Sequence, residues 1–208
     1  MLVIVKNSEP KGLIKHRKTS HSTYDNISSD TKHEIRCSLL IEQGELCAYC
    51  MQRISEDNMK IEHYLPQSQG TNQTDLQYGN MLGVCLGGEG KPKTLQTCDT
   101  CRGNKPLNVN PLDATSISKI DYTTSGLITS DDDSIYTDLD KTLNLNVSSL
   151  IDNRKSALDA LKKELLAKSK KHNSDWKSLA QKYMKLFQSS GRKREYCGIL
   201  LWYLRKKT

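Results

Sequence analysis

The residues that could do chemistry in this chain gather between positions 45 and 112. Cys47-Ala-Tyr-Cys50 is a CxxC pair, and Cys85, Cys98 and Cys101 can complete a site with it. Two thiolates at that spacing on a tight turn can face one metal ion, and Zn²⁺ takes four such ligands in a tetrahedron. Cys98-Asp-Thr-Cys101 is a second CxxC, so Cys47, Cys50, Cys98 and Cys101 form one possible site. Another is Cys47, Cys50, Cys85 and Cys98, with Cys101 left free. A redox dithiol would want a βαβ context, which is missing, and structural zinc is the better reading. Cys37 and Cys197 fall in helical stretches and read as ordinary core residues.

Between the thiols sits Ile61-Glu62-His63-Tyr64-Leu65-Pro66, followed by Asn80 and then by Asp99 or Asn104. A carboxylate beside an imidazole, with further oxygen ligands downstream, is a set distinct from the thiols. Hard ligands of this kind suit Mg²⁺ or Mn²⁺ rather than zinc. Phosphodiester cleavage needs a base to deprotonate water and a Lewis acid to take up charge on the phosphate oxygens. One His and one hard-cation site supply both. A His beside a Glu is more often a surface pair than a catalyst; its place between two halves of a metal knuckle is what gives it weight.

Taken in order, CxxC, Glu-His-x-x-Pro, Asn-x-x-x-x-Cys and a final Cys with a polar ligand beside it resemble the HNH endonucleases over residues 45–112. That resemblance implies a ββα-metal site: a two-stranded hairpin bearing the His, then a helix bearing a further metal ligand. More narrowly, Gly79-Asn-Met-Leu-Gly-Val-Cys85, Cys98-Asp-Thr, then Gly103-Asn-Lys and Asn110-Pro resemble the PtuB-like HNH subunits of Septu and retron-type anti-phage systems. Carried over by position, His63 is the general base, Glu62 binds the catalytic metal, and Asn80 braces the loop and orients His63. If Cys98 is the last zinc ligand, Asp99 takes the metal position and Arg102 the basic one. If Cys101 is the last, Arg102 falls where a ligand should be, which a cation cannot fill, and Asn104 must substitute. Charge favours the first register, because Glu62 and Asp99 together neutralise a divalent ion. Arg102 and Lys105 are then the basic residues expected on nucleic acid.

The resemblance thus implies a metal-dependent endonuclease acting on DNA or RNA, the effector of a defence complex. Its implied partners are a PtuA-like ATPase subunit and a retron reverse transcriptase with its RNA–DNA product. A catalytically inactive, zinc-stapled nucleic-acid-binding or adaptor module is the alternative.

These side chains need elements to hold them. Thr31 and Glu34 suit a capping box for a helix over 31–43 that Gly44 can close. From 45 to 110 the chain is rich in Cys, Gly, Asn and Pro, a loop-rich unit held by metal. Leu2 to Val5 reads as a short strand, and 117–147 as one or two hairpins with turns at Gly126 and at the acidic run Asp131 to Asp133. From Ser148 a helical period carries Leu150, Leu158, Leu161 and Leu165. Asn173-Ser174 breaks it, and Ser174 or Asp175 can cap a second helix that Gly191 ends. A final helix is expected over 192–205, with Trp176, Phe187 and Trp202 as core aromatics.

The fold class is therefore α+β, a zinc-stapled ββα-metal core with a helical C-terminal region. The expected parts are residues 1–44 packing on the core, the core at 45–112, a β-hairpin region at 113–147 and a basic helical region at 148–208, for partner docking or nucleic-acid contact.

Of the 208 residues, 31 are Lys or Arg and 24 are Asp or Glu, a net charge of +7. Residues 1–150 carry a net −4 and residues 151–208 a net +11, so the positive excess lies in the last quarter. Such a tail suits a polyanionic partner or a solvated helical face. No apolar run approaches a membrane span, and the N-terminus lacks the positive region and long apolar stretch of a signal peptide. A cytoplasmic protein with reduced thiols is the expectation.

Overall fold

The computed structural model describes residues 1–69, 74–172, 175–189 and 191–208, with backbone alone for 170–172. Helix α1 spans Lys11–Arg17, and α2 spans Ser29–Gln43. The cap of α2 is Ser28, whose hydroxyl accepts from the Thr31 N–H at 3.3 Å, so the helix begins before the Thr31 cap expected from the sequence. Gly44, at φ 60°, closes it in the left-handed region that glycine enters without steric cost.

Gln43, the last residue of α2, ties the helix to the site. Its amide donates to the carbonyls of Leu46 and Gly83 at 2.7 Å each, and its carbonyl accepts from the Gly83 N–H at 2.7 Å. Gly83 lies in β2 (Met81–Cys85), which runs antiparallel to β1 (Met59–His63) with Met59 opposite Cys85 and His63 opposite Met81. The short helix α3 (Cys98–Arg102) packs against β2, giving the order strand, strand, helix.

Beyond it, α4 (Ala114–Ser118) leads into one hairpin, β3 (Ile120–Tyr122) with β4 (Ile128–Ser130). The acidic run expected to mark a turn starts a helix instead. Asp132 accepts from the N–H groups of Ser134 and Ile135, capping α5 (Asp133–Thr137), which continues as a π turn over Asp138–Thr142. The chain ends in α6 (Ser148–His172), α7 (Trp176–Gln188) and α8 (Cys197–Arg205).

Asp175 caps α7 through the Ser178 N–H, while Asn173 and Ser174 lie outside the described residues. Helix α8 starts later than expected because Tyr196, at φ 55°, donates its N–H to the Met51 carbonyl and turns the chain onto the core. The strand expected at Leu2–Val5 does not form; Ile4 N–H donates instead to the Pro111 carbonyl at 2.8 Å.

Among the described residues, the larger of two apolar clusters runs from Met1 and Leu13 through Leu39, Tyr49, Met81 and Leu82 to Leu161, Phe187 and Leu200, and Leu46, Met51 and Cys197 form the smaller. Trp202 packs half-buried against Tyr122, but Trp176 is exposed rather than core. Among the described residues, no helix is long and apolar enough to cross a membrane. The architecture is α+β, with two small sheets among many helices.

Candidate active site and metal centre

Four thiols converge. Cys47 and Cys50 come from the turn after α2, Cys85 from the end of β2 and Cys98 from the start of α3. Their sulfurs lie within 4.8 Å of one another, with Cys47–Cys98 at 3.8 Å and Cys50–Cys85 and Cys85–Cys98 at 3.7 Å. A tetrahedral zinc with Zn–S bonds of about 2.3 Å has sulfur–sulfur edges of about 3.8 Å. These separations match that edge, and all four cysteines are free thiols.

The backbone accepts strain to bring them there. Cys98 sits at φ 55°, a conformation non-glycine residues seldom hold unless their surroundings impose it, and its N–H donates to the Leu143 carbonyl at 2.9 Å. The 13-residue interval from Cys85 is closed by Gly87, at φ 57°, whose carbonyl accepts from the Thr97 N–H at 2.8 Å. A Cβ at Gly87 would meet the Thr97 carbonyl at 2.2 Å.

Burial alone would push Cys47 up, but hydrogen bonds from Cys50, Cys85 and Cys98 outweigh it and hold its thiol well below the ordinary value. Hydrogen bonding to Cys47 keeps Cys50 and Cys98 well above theirs. One thiolate is thus stabilised by its neighbours, whereas four together require a cation. Cys101 stands apart, half-buried near the Lys141 carbonyl.

Beside the thiols lies a cleft of about 420 Å³ lined by Tyr24, Lys60, Glu62, His63, Asp99 and Asn104, among others. His63 ends β1. Its Nε2 lies 2.9 Å from the Asp75 carbonyl, which can only accept, so Nε2 carries the hydrogen and Nδ1 the lone pair of the neutral ring. Tyr24 stands edge-on to the imidazole with ring centroids 4.6 Å apart. Burial holds His63 below the ordinary imidazole value. Asn80 clamps the following loop: its carbonyl accepts from the Leu65 N–H at 2.7 Å and its amide donates to the Leu65 carbonyl at 3.0 Å.

Glu62 and Asp99 line the same cleft, and their carboxyl groups act on each other. Burial, then the Asp99 carboxylate, pushes Glu62 up to about 8. Two facing carboxylates suit either a shared proton or a hard cation. A counter-charge is also already present. Arg102 forms an ion pair with Glu62 Oε1, and Tyr49 donates to the same oxygen at 3.3 Å.

The chain is 31% identical over 163 residues to "Retron Vc95 putative HNH endonuclease" from Vibrio cholerae serotype O1 biovar El Tor, covering 74% of this chain and 76% of that protein. The chain belongs to the HNH endonuclease family. No protein-family profile matches it.

In this HNH endonuclease family member, the cleft brings Glu62, His63, Asp99 and Asn104 to one surface, with Asn80 behind it. Arg102, expected on nucleic acid, is elsewhere: it is 2% exposed and turned inward. Its Nη2 donates to the Tyr64 carbonyl at 2.6 Å, its Nη1 to the His63 carbonyl at 3.3 Å, and its Nε to the Lys105 carbonyl at 2.7 Å. Lys105 itself is exposed.

Sequence reasoning missed Lys60, whose Nζ lies 3.1 Å from both Thr100 Oγ1 and Glu89 Oε2 and 4.0 Å from Asp99 Oδ2. Strand alternation puts Lys60 on the same side as Glu62, a signal that could have found it. Tyr24, Tyr49 and the Asp75 carbonyl were also missed, and nothing local marks them. Cys37 is not core: it is half-buried on α2 beside His33.

Proposed function

We propose that the protein is a metal-dependent HNH endonuclease that hydrolyses phosphodiester bonds, with Cys47, Cys50, Cys85 and Cys98 holding a structural zinc. The observation that carries this reading is a neutral-favoured His63, fixed through Nε2, opening onto the same cleft as the Glu62–Asp99 pair. Mg²⁺ or Mn²⁺ held by Glu62 and Asp99, or by Asn104 in place of Asp99, would supply Lewis acidity at the scissile phosphate. His63 takes a proton from the attacking water at Nδ1 while the Asp75 carbonyl keeps the ring oriented. Asn80 holds the loop that follows His63, and Lys60 and Lys105 offer positive charge to phosphate.

The relative bears a retron's name, which supports a place in an anti-phage complex with a reverse transcriptase and its RNA–DNA product. Control by an ATPase subunit rests on the likeness of residues 79–112 to PtuB-like proteins. The exposed Lys155, Lys163, Lys177, Lys182 and Lys185 of α6 and α7 are suited to a polyanion.

His63→Ala should abolish Mg²⁺- or Mn²⁺-dependent cleavage, assayed with and without the partner ATPase, while zinc content is unchanged. Cleavage by that variant at the wild-type rate would refute the mechanism. The ion pair of Arg102 with Glu62 favours a second reading, an inactive zinc-stapled adaptor, since it competes with a cation for the carboxylate. Wild-type protein that binds nucleic acid but never cuts it would select that reading.

A further inference from the structure

Among the described residues, two groups bring three or more metal-ligating atoms within 4.8 Å, and the second, His33, Cys37 and Glu56, shares no residue with either site above. His33 and Cys37 are separated by four residues on α2 and so share one face. Glu56 comes from the 3-10 turn Glu56–Asn58 that leads into β1. His33 Nδ1 is hydrogen-bonded to Glu56 Oε1, and Cys37 Sγ lies 3.6 Å from His33 Nε2 and 4.0 Å from Nδ1. The two elements pack together, so these side chains meet through the fold rather than by sequence proximity.

The donor set is one thiolate, one imidazole and one carboxylate. Zinc and its first-row neighbours accept that mixture, while magnesium and calcium favour oxygen alone. Three protein ligands leave a tetrahedral ion one position for water. His33 is exposed, and Cys37 and Glu56 are partly so, unlike the buried Cys47, Cys50 and Cys98.

We propose that His33, Cys37 and Glu56 form a second, solvent-exchangeable site for a divalent transition metal of the zinc class. The ion takes the place of the proton shared by the imidazole and the carboxylate, and the Cys37 thiol loses its own proton on binding. Because the site faces solvent and has three ligands, its occupancy follows the free metal concentration, whereas the four-thiol centre stays filled. A bound ion pins the approach to β1 against α2, at the opposite end of the strand from Glu62 and His63.

The test is equilibrium dialysis of the full chain against a zinc–chelator buffer, with bound zinc counted per chain and thermal melts recorded in parallel. Wild type should take up one more zinc than Cys37→Ala or His33→Ala, with melting of the variants unchanged in the absence of added zinc. Glu56→Gln should weaken the extra site at least tenfold. Added zinc should raise the melting temperature of wild type more than that of the variants. Equal zinc uptake by wild type and all three variants would overturn the proposal, whatever the occupancy of the four-thiol centre.

Discussion

Arg102 brings a full positive charge inward, where Glu62 is its ion-pair partner among the described residues, and it also donates to the Tyr49 hydroxyl and to the backbone carbonyls of His63, Tyr64 and Lys105. Removing Arg102 takes the counter-charge from Glu62 and leaves three backbone carbonyls without their donor, and breaking such a buried pair typically costs about 3–5 kcal/mol. Arg102→Met should therefore destabilise the fold by about that much in urea unfolding, and Arg102→Lys should recover only part, since an ammonium cannot reproduce a planar fork reaching three carbonyls. If Arg102 instead met the substrate, both variants would keep wild-type stability and lose affinity for nucleic acid. The local pattern after Cys98, the last thiol of the cluster, suggested a basic residue for phosphate, and it correctly supplied the residue type. What it could not supply was direction: the guanidinium points inward because the carbonyls of His63, Tyr64 and Lys105 converge on it, a tertiary fact.

At the scale of elements, the staple depends on a turn. Gly87→Ala forces a Cβ against the Thr97 carbonyl in a conformation that side chains avoid. It should lower stability by roughly 1–3 kcal/mol and weaken zinc retention in a chelator challenge, although no ligand is altered. Wild-type retention would show that Cys85 and Cys98 find each other without this turn. The helices α6 and α7 are joined at Glu164, which accepts from the Tyr183 hydroxyl at 2.5 Å and pairs with Arg194 at 3.0 Å and Lys168 at 3.2 Å.

The Tyr183 hydrogen bond first, then Arg194 and Lys168, hold the Glu164 carboxyl below 4.5. A depressed folded-state value adds stability that is present above the unfolded value and lost as pH falls through the folded one. Glu164→Gln should thus cost at most about 1 kcal/mol at neutral pH, because exposed pairs are screened. Comparative denaturation should find that difference closing below pH 4.5; a gap that widens in acid would contradict the assignment.

For the molecule as a whole, one apolar cluster links Met1 to Leu204 and passes beside the thiols at Cys47, Cys50 and Cys98. Stripping the proposed zinc should therefore lower the melting temperature of the entire chain in a single transition, seen alike by far-ultraviolet and aromatic signals; two separated transitions would mean the helical region folds alone. Much of this architecture was legible in the sequence where the signal is local. Thiol spacing narrowed the ligands to two alternative sets, of which Cys47, Cys50, Cys85 and Cys98 is the one that converges, and the helical period found α6 from Ser148 and, with errors at an end, α2 and α7. The segment 113–147 was less legible, because Asp131 to Asp133 serves equally as turn or helix cap and the choice rests on packing of Ile135 and Leu139. Helix α1 carries little periodic signal beyond Leu13.

The glutamine at the end of α2 has a wider consequence. A two-stranded sheet leaves backbone donors and acceptors open along its outer edge, where any extended segment could add itself. On β2 that edge at Gly83 is occupied on both its N–H and its carbonyl by the Gln43 amide, with the Ala48 N–H on the same carbonyl. A side chain thus does the work of a third strand, and the hairpin that carries His63 is closed at this point to pairing with a second copy of itself.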